Sequence, residues 1–351
     1  MTIRALTVEP GVAGSASLDA LDEPRPDVNE FVVETTLVGV CGTDRDIVDG
    51  GYGAPPGGRR RLVLGHEAVG RVVRAPAASP LREDELVVPI VRHPDPVPCP
   101  SCAVGEWDMC QNGRYTEHGI TALDGFAAER FAIAPDHLVA VPRDLGDSAV
   151  LIEPTSIVAK AWEQIERIGS RSHWQPRTAL IVGAGPVGLL AALLARQRGL
   201  ITHVLDVVTT GPKPQLVAAL GAEYHTGSVA DTVPMPDVIV ECTGVGSVVL
   251  DVIAHNRPNG IVCLTGLSSG ARRLELDADR INRRMVLEND VVFGTVNANR
   301  RHYQAAADAL VNADLDWLQG LITRRVSLAQ WDQALLRRPD DVKVVIDFGT
   351  P

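Results

Sequence analysis

Over roughly the first 150 residues, short β-branched runs alternate with breaks rich in proline and glycine; residues 31–38 (Phe-Val-Val-Glu-Thr-Thr-Leu-Val) and 86–91 (Leu-Val-Val-Pro-Ile-Val) are examples. Runs this short, with so many turn formers between them, predict an irregular β-rich domain with long functional loops. From about Ile157 the pattern changes. Apolar strand-like runs at 180–182, 203–205, 238–240 and 261–264 are separated by helical patterns among the first members. That alternation is the α/β signature of a parallel, doubly wound sheet. Beyond Gly294 the pattern predicts helix over 300–321 and a last strand over 343–348, a tail expected to return to the first domain. The division predicted is therefore 1–155 with 296–351 for one domain and 156–295 for the other. There is no internal repeat and no low-complexity segment.

One stretch, 178–195, carries no charged residue over a length that raises the question of a membrane span. Gly183-Ala-Gly-Pro186 interrupts it, so a buried strand, a turn and a buried helix are expected instead. With 351 residues, 45% hydrophobic and 22% charged, the chain has the size of two domains and the composition of a water-soluble protein. Its formal net charge of −11 repels phosphate backbones and anionic lipid. Nucleic acid and membrane are thus poor partners, and a small neutral substrate fits better. Residues 1–9 hold no apolar run long enough for a secretory signal, so a cytoplasmic location is expected.

The turn inside the uncharged stretch has its own chemistry. Gly183-Ala-Gly185-Pro186-Val187-Gly188 follows an apolar strand and opens a helix rich in leucine and alanine. In that setting the glycines allow a tight turn, a close approach of backbone N–H groups to a pyrophosphate, and close helix-to-strand packing. Asp206 ends the next strand, where a carboxylate accepts hydrogen bonds from an adenosine ribose and repels a 2′-phosphate. Val207 and Val208 follow it rather than arginines, so NAD is expected over NADP, with Lys213 the one cation that opposes this.

Two groups of metal-ligand types lie in the first 155 residues. Cys41 and His66 stand 25 positions apart on loops after β-like runs, and together with Glu67, Glu153 and a dinucleotide fold the set points to chemistry. A catalytic zinc needs about three protein ligands and an open position, where it would polarise a carbinol oxygen and lower its pKa for hydride transfer to a nicotinamide. Cys99, Cys102 and Cys110 form a Cys-x2-Cys-x7-Cys pattern suited to a structural zinc, for which Asp95 or His93 offers a fourth ligand. Six cysteines, three of them clustered, suit metal binding in a reducing compartment better than a disulfide framework.

Taken together, these residues resemble the zinc-dependent medium-chain dehydrogenase (alcohol dehydrogenase) family over nearly the whole chain. Val40-Cys-Gly-Thr-Asp44, Val63-Leu-Gly-His-Glu-Ala68, Glu117-His-Gly-Ile120, Ile152-Glu-Pro154 and Gly294-Thr-Val-Asn297 are similar to its archaeal-type glucose dehydrogenase branch. The resemblance implies a GroES-like catalytic domain joined to a Rossmann domain. It implies that Cys41 and His66 ligate zinc, that Glu67 and Glu153 complete or exchange in the shell, and that Asp44 orients His66. It also implies that Thr43 passes the substrate proton onward, with Asp46 at the relay position. Glu117, Glu153 and Asn297 would hydrogen-bond sugar hydroxyls, and Thr243 and Asn297 would join the glycine loop in holding the cofactor. Val91 and Ile157 stand where some glucose dehydrogenases carry asparagine and aspartate, and no first lobe cysteine is present. The function implied is oxidation of a sugar or cyclic polyol hydroxyl by a homodimer or homotetramer. A simpler secondary alcohol is the alternative substrate, and a zinc-free, non-catalytic cofactor binder the alternative class.

Overall fold

The computed structural model describes residues 1–77, 79–233, 235–268 and 273–349. The chain divides into two compact units, Met1–Ser156 with Asn297–Pro351, and Ile157–Val296.

The first unit is built on the strand Phe31–Val40, whose side chains are buried along almost its whole length. It is covered on both faces over most of its length, so apolar residues occupy successive positions at 31–33 and 37–40 rather than alternating as in a one-sided sheet. It pairs antiparallel with Glu67–Arg74, Arg130–Ile133 and Lys343–Asp347. The sheet continues through Leu86–Pro89 to Leu138–Ala140 on one side and through Ile322–Ser327 on the other. The final strand thus returns to the first domain, with Val344 opposite Val40 and Asp347 opposite Leu37. A smaller sheet sets Thr2–Val8 between Ser17–Asp22 and Leu62–Val63. Leu6, Phe31, Val38, Leu64, Val87, Phe126 and Ile346 contribute to one core between these sheets.

The second unit is a six-stranded parallel sheet. Its order is Glu223–His225, Ile201–Leu205, Thr178–Val182, Val238–Glu241, Ile261–Leu264, Val291–Gly294. This is the doubly wound arrangement, reversing direction at the strand that leads into the glycine loop. The uncharged stretch resolves into the buried strand Thr178–Val182, a turn, and the helix Pro186–Gln197. Among the described residues no helix is long and apolar enough to cross a membrane.

The tail differs from expectation in one place. The helix expected over 300–321 is two helices, Arg300–Val311 and Leu315–Leu321. The break occurs because the Asp314 carboxylate accepts the Trp317 N–H at 3.0 Å and caps a new helix.

Candidate metal centre and cofactor loop

Cys41 leaves the end of Phe31–Val40 and caps the helix Gly42–Val48. Its Sγ accepts the Thr43 N–H at 3.2 Å, and the Asp44 carboxylate returns to the Cys41 N–H at 2.9 Å. This reciprocal cap fixes the thiol and Asp44 on one turn. His66 arrives from the other side, after Gly65. Gly65 has φ of +86°, and a Cβ there would press on Val38 and Ala127. Only glycine turns the chain this sharply against a filled core.

The result is Cys41 Sγ 3.0 Å from His66 Nε2, with His66 Nδ1 3.3 Å from Asp44 Oδ1. Asp44 and His66 are buried. Burial disfavours a charged imidazole, yet the Cys41 thiolate and the Asp44 carboxylate outweigh it and raise the His66 pKa well above its ordinary value. The pocket therefore calls for positive charge between a soft sulfur and a ring nitrogen, and this donor set suits zinc. Among the described residues, Cys41, Asp44 and His66 offer ligand atoms within 4.8 Å of one another, and neither Glu67 nor Glu153 joins that group.

Both glutamates are nevertheless buried close by. Glu67 forms an ion pair with Lys343, itself buried on the last strand. Gly39 makes room for that pair, since a Cβ there would overlap the Glu67 carboxylate and lie 2.7 Å from Lys343 Cε. Glu153, on the first turn of the helix Ile152–Gly169, is buried, and with Glu67 nearby its carboxyl is pushed up to about 8. Nothing in the sequence around Lys343 marked it as a member of this site.

Thr43 lies beside the thiol, held through its backbone. Asp46, one turn on, is exposed. Glu117 is more tightly organised. Arg92 donates to its Oε1 from Nε at 3.0 Å and from Nη2 at 2.9 Å, and Asn297 Nδ2 donates to the same oxygen at 2.7 Å. Arg92 also stacks 3.7 Å over the Tyr115 ring. Asn297 Oδ1 accepts the Ala298 N–H at 2.8 Å, so this side chain is engaged in holding Glu117 and its own turn. Sequence reasoning missed Arg92, whose position next to a candidate ligand was its only signal. Val91 belongs to the core and gives its N–H to the Tyr303 hydroxyl at 3.3 Å, while Ile157 is half-buried.

Cys99, Cys102 and Cys110 are gathered into one group of ligand atoms. The Gln111 and Cys102 amides, donating to Cys99 Sγ at 3.4 and 3.5 Å, hold that thiol down to about 6. Burial pushes Cys102 up to about 11. The structure places neither expected fourth ligand with them. The Asp95 carboxylate accepts from the Val97 N–H and from Asn112 at 2.8 Å and pairs with Arg114 at 3.3 Å; it is drawn away by its own turn. The His93 ring stacks on His137 and places its Nε2 3.0 Å from His118 Nε2.

In the second unit, Gly183 has φ of +100°, and a Cβ on Gly188 would collide with the Gly183 carbonyl. Gly185 caps the helix Pro186–Gln197, with no heavy atom within 4 Å of the place a Cβ would take. That open space beside helix N–H groups suits a pyrophosphate. Pro186 and Val187 form the first turn. Thr243 borders Gly183, and its N–H is held by the buried Glu241 carboxylate at 2.7 Å. Asp206 accepts the Ala184 N–H at 2.6 Å and the Val208 N–H at 3.0 Å, and Lys213 Nζ lies 3.2 Å from it. These bonds and that cation outweigh burial and lower the Asp206 pKa.

Residues 27–143 match the alcohol dehydrogenase GroES-like domain, and residues 146–348 match the glucose dehydrogenase C-terminus. The glucose 1-dehydrogenase of Methanocella arvoryzae is 37% identical over 99% of this chain and 100% of its own length. That of Thermoproteus tenax is 38% identical over 99% and 100%. Glucose dehydrogenase of Haloferax mediterranei, solved in complex with NADP, Zn and gluconolactone, superposes with a TM-score of 0.90 at 32% identity, covering 99% of this chain and 100% of that one. With such identity over nearly every residue, the chain belongs to the zinc-dependent medium-chain alcohol dehydrogenase family, in its glucose 1-dehydrogenase branch.

Proposed function

We propose that this protein is a zinc- and NAD(P)-dependent dehydrogenase that oxidises a sugar hydroxyl, with the anomeric hydroxyl of an aldose such as glucose as the leading substrate. The observation that carries this reading is the Cys41–His66 pair at 3.0 Å with Asp44 behind the ring, in one chain with a glycine loop made for a dinucleotide. The relatives named glucose 1-dehydrogenase, and the Haloferax complex with gluconolactone, support the sugar.

Cys41 and His66 would hold the ion, with Glu67 or Glu153 completing the set. Bound there, zinc supplies Lewis acidity toward the hydroxyl being oxidised. Asp44 keeps the His66 ring oriented. Thr43 accepts the substrate proton, and the exposed Asp46 delivers it to water. Glu117, held in place by Arg92 and Asn297, accepts hydrogen bonds from the sugar. A carboxylate already held in place costs little ordering on binding and discriminates against substrates that lack the matching hydroxyl.

For the cofactor, we infer that NAD is preferred, because Asp206 stands where a 2′-phosphate would be repelled. The preference is narrowed by Lys213, which neutralises part of that charge, in keeping with a relative that binds NADP.

One kinetic screen tests both statements: aldoses, inositols and simple secondary alcohols, each with NAD and with NADP, followed by the absorbance of the reduced cofactor. Aldoses with NAD should give the highest kcat/KM. A best substrate without vicinal hydroxyls overturns the sugar, and a higher kcat/KM with NADP overturns the cofactor choice. Cys41→Ala should lose turnover by about a thousandfold or more, with the dissociation constant for NADH close to that of the wild type. A fully active Cys41→Ala variant overturns the metal site.

A further inference from the structure

At the margin of the parallel sheet lies a third group of metal-ligand atoms among the described residues, one that contains no cysteine. The strand Ile201–Leu205 pairs with the edge strand Glu223–His225, and His203 lies opposite Glu223 while Leu205 lies opposite His225. Side chains two apart on a strand, and those directly across from them, project from one face. His203, Glu223 and His225 therefore point the same way by register alone. Their ligand atoms lie within 4.8 Å of one another. His203 Nδ1 is 2.9 Å from His225 Nε2 and 3.4 Å from Glu223 Oε2, and His225 Nε2 is 3.7 Å from Glu223 Oε1.

We propose that His203, Glu223 and His225 bind a divalent transition-metal ion, separate from the ions held by the first unit. With metal–ligand bonds of about 2.1 Å, the separations of His203 Nδ1 from His225 Nε2 and from Glu223 Oε2 correspond to angles of roughly 90° and 110° at a common ion, the range of octahedral and tetrahedral sites. The ligands are already at coordination spacing. Two imidazoles with one carboxylate select zinc, nickel, cobalt or ferrous iron over calcium or magnesium, which take oxygen ligands. The rings are mostly covered and the carboxylate is 66% exposed, so an ion can enter from solvent on the Glu223 side. Burial and the neighbouring His225 lower the His203 pKa, which favours the neutral ring that a metal requires.

The edge strand is only three residues long, and a shared ion would pin it to its neighbour. Its last residue matters to the cofactor loop, because the His225 carbonyl accepts the Asp206 N–H at 3.1 Å. An ion here would thus stiffen the backbone that presents Asp206.

Calorimetric titration with Ni2+ of protein that keeps zinc in the first unit but has been cleared of weaker-bound metal by a mild chelator, paired with thermal melts, tests this. The wild type should take up one further saturable equivalent per chain, with a rise in Tm. The double variant His203→Ala with His225→Ala should lose that equivalent and that rise while keeping the zinc content of the first unit. Glu223→Gln, at an exposed position, should weaken Ni2+ by roughly tenfold and serves where the double variant fails to fold. No further equivalent in the wild type, an equal stoichiometry in the double variant, or unchanged affinity in Glu223→Gln overturns the site.

Discussion

The first unit makes its site from charges carried in from distant parts of the chain, while the second makes its site from side chains that are missing. Cys41, His66, Glu67, Glu153 and Lys343 meet because four different elements converge, and each brings a group that must be compensated. Gly183, Gly185 and Gly188 lie within six residues of one strand-to-helix turn, and what they supply is room and backbone N–H groups. The charged site should therefore fail by electrostatic imbalance and the glycine loop by steric overlap.

The largest effect is expected at Lys343. This ammonium is buried and pairs with the equally buried Glu67 carboxylate. Lys343→Met keeps most of the volume but leaves the carboxylate alone, a loss of about 3–5 kcal/mol for a broken buried pair. Chemical denaturation checks it. A double variant, Lys343→Met with Glu67→Gln, should recover part of the loss, and a single variant as stable as the wild type would mean that the pair contributes nothing.

The same contrast explains what was readable in advance. The glycine loop was legible because its strand, turn and helix follow one another in the sequence, and the strand order around it follows from the alternating pattern. Cys41 and His66 were legible by residue type. Lys343 was not, since a strand reading Lys-Val-Val-Ile-Asp shows no trace of a partner at position 67. Asp95 and His93 lie near the three cysteines in sequence, but the Asp95 carboxylate turns to Asn112 and Arg114 and the His93 ring to His137 and His118. The edge strand Glu223–His225 is too short and polar to show a strand pattern, and its pairing with Ile201–Leu205 depends on the whole sheet.

A somewhat smaller effect follows from acid in the first unit. His118 is buried, its Nδ1 lies 2.6 Å from the Asp124 carbonyl, and burial holds its pKa down to about 4 against an ordinary 6.5. Below pH 6.5 the unfolded chain takes up this proton while the folded one does not. Stability from the neutral ring is complete above that pH and is lost as pH falls from 6.5 toward about 4. The loss amounts to about 3 kcal/mol for this residue. Denaturation curves at both ends of the window, compared between wild type and His118→Asn, measure it; an equal slope in the two would remove His118 as the cause.

In the glycine loop, Gly188→Ala should cost about 1–3 kcal/mol through overpacking, because the new methyl meets the Gly183 carbonyl, a backbone atom that cannot rotate away. The damage should appear as a roughly 10- to 100-fold weaker dissociation constant for NADH by fluorescence titration, with zinc content unchanged. Equal affinity would show that the helix Pro186–Gln197 can shift without disturbing the cofactor.

The smallest effect tests where the two modes of construction meet, since Asp206 is the one charge at the edge of the loop. Lys213 Nζ lies 3.2 Å from its carboxylate, on the first turn of the helix Pro212–Ala219. While the ammonium is present, the field felt by a 2′-phosphate is that of a partly neutralised carboxylate with a cation alongside. Lys213→Ala removes that cation and leaves Asp206 with its two backbone donors, Ala184 and Val208, which hold its geometry. NAD, which offers ribose hydroxyls to the carboxylate, should lose little. NADP should lose both a cation and the shielding of an anion, so the ratio of kcat/KM for NAD to that for NADP should rise by about tenfold. An unchanged ratio would mean that cofactor choice is set elsewhere in the second unit, and a fall would mean that Lys213 holds Asp206 in the position that NAD needs.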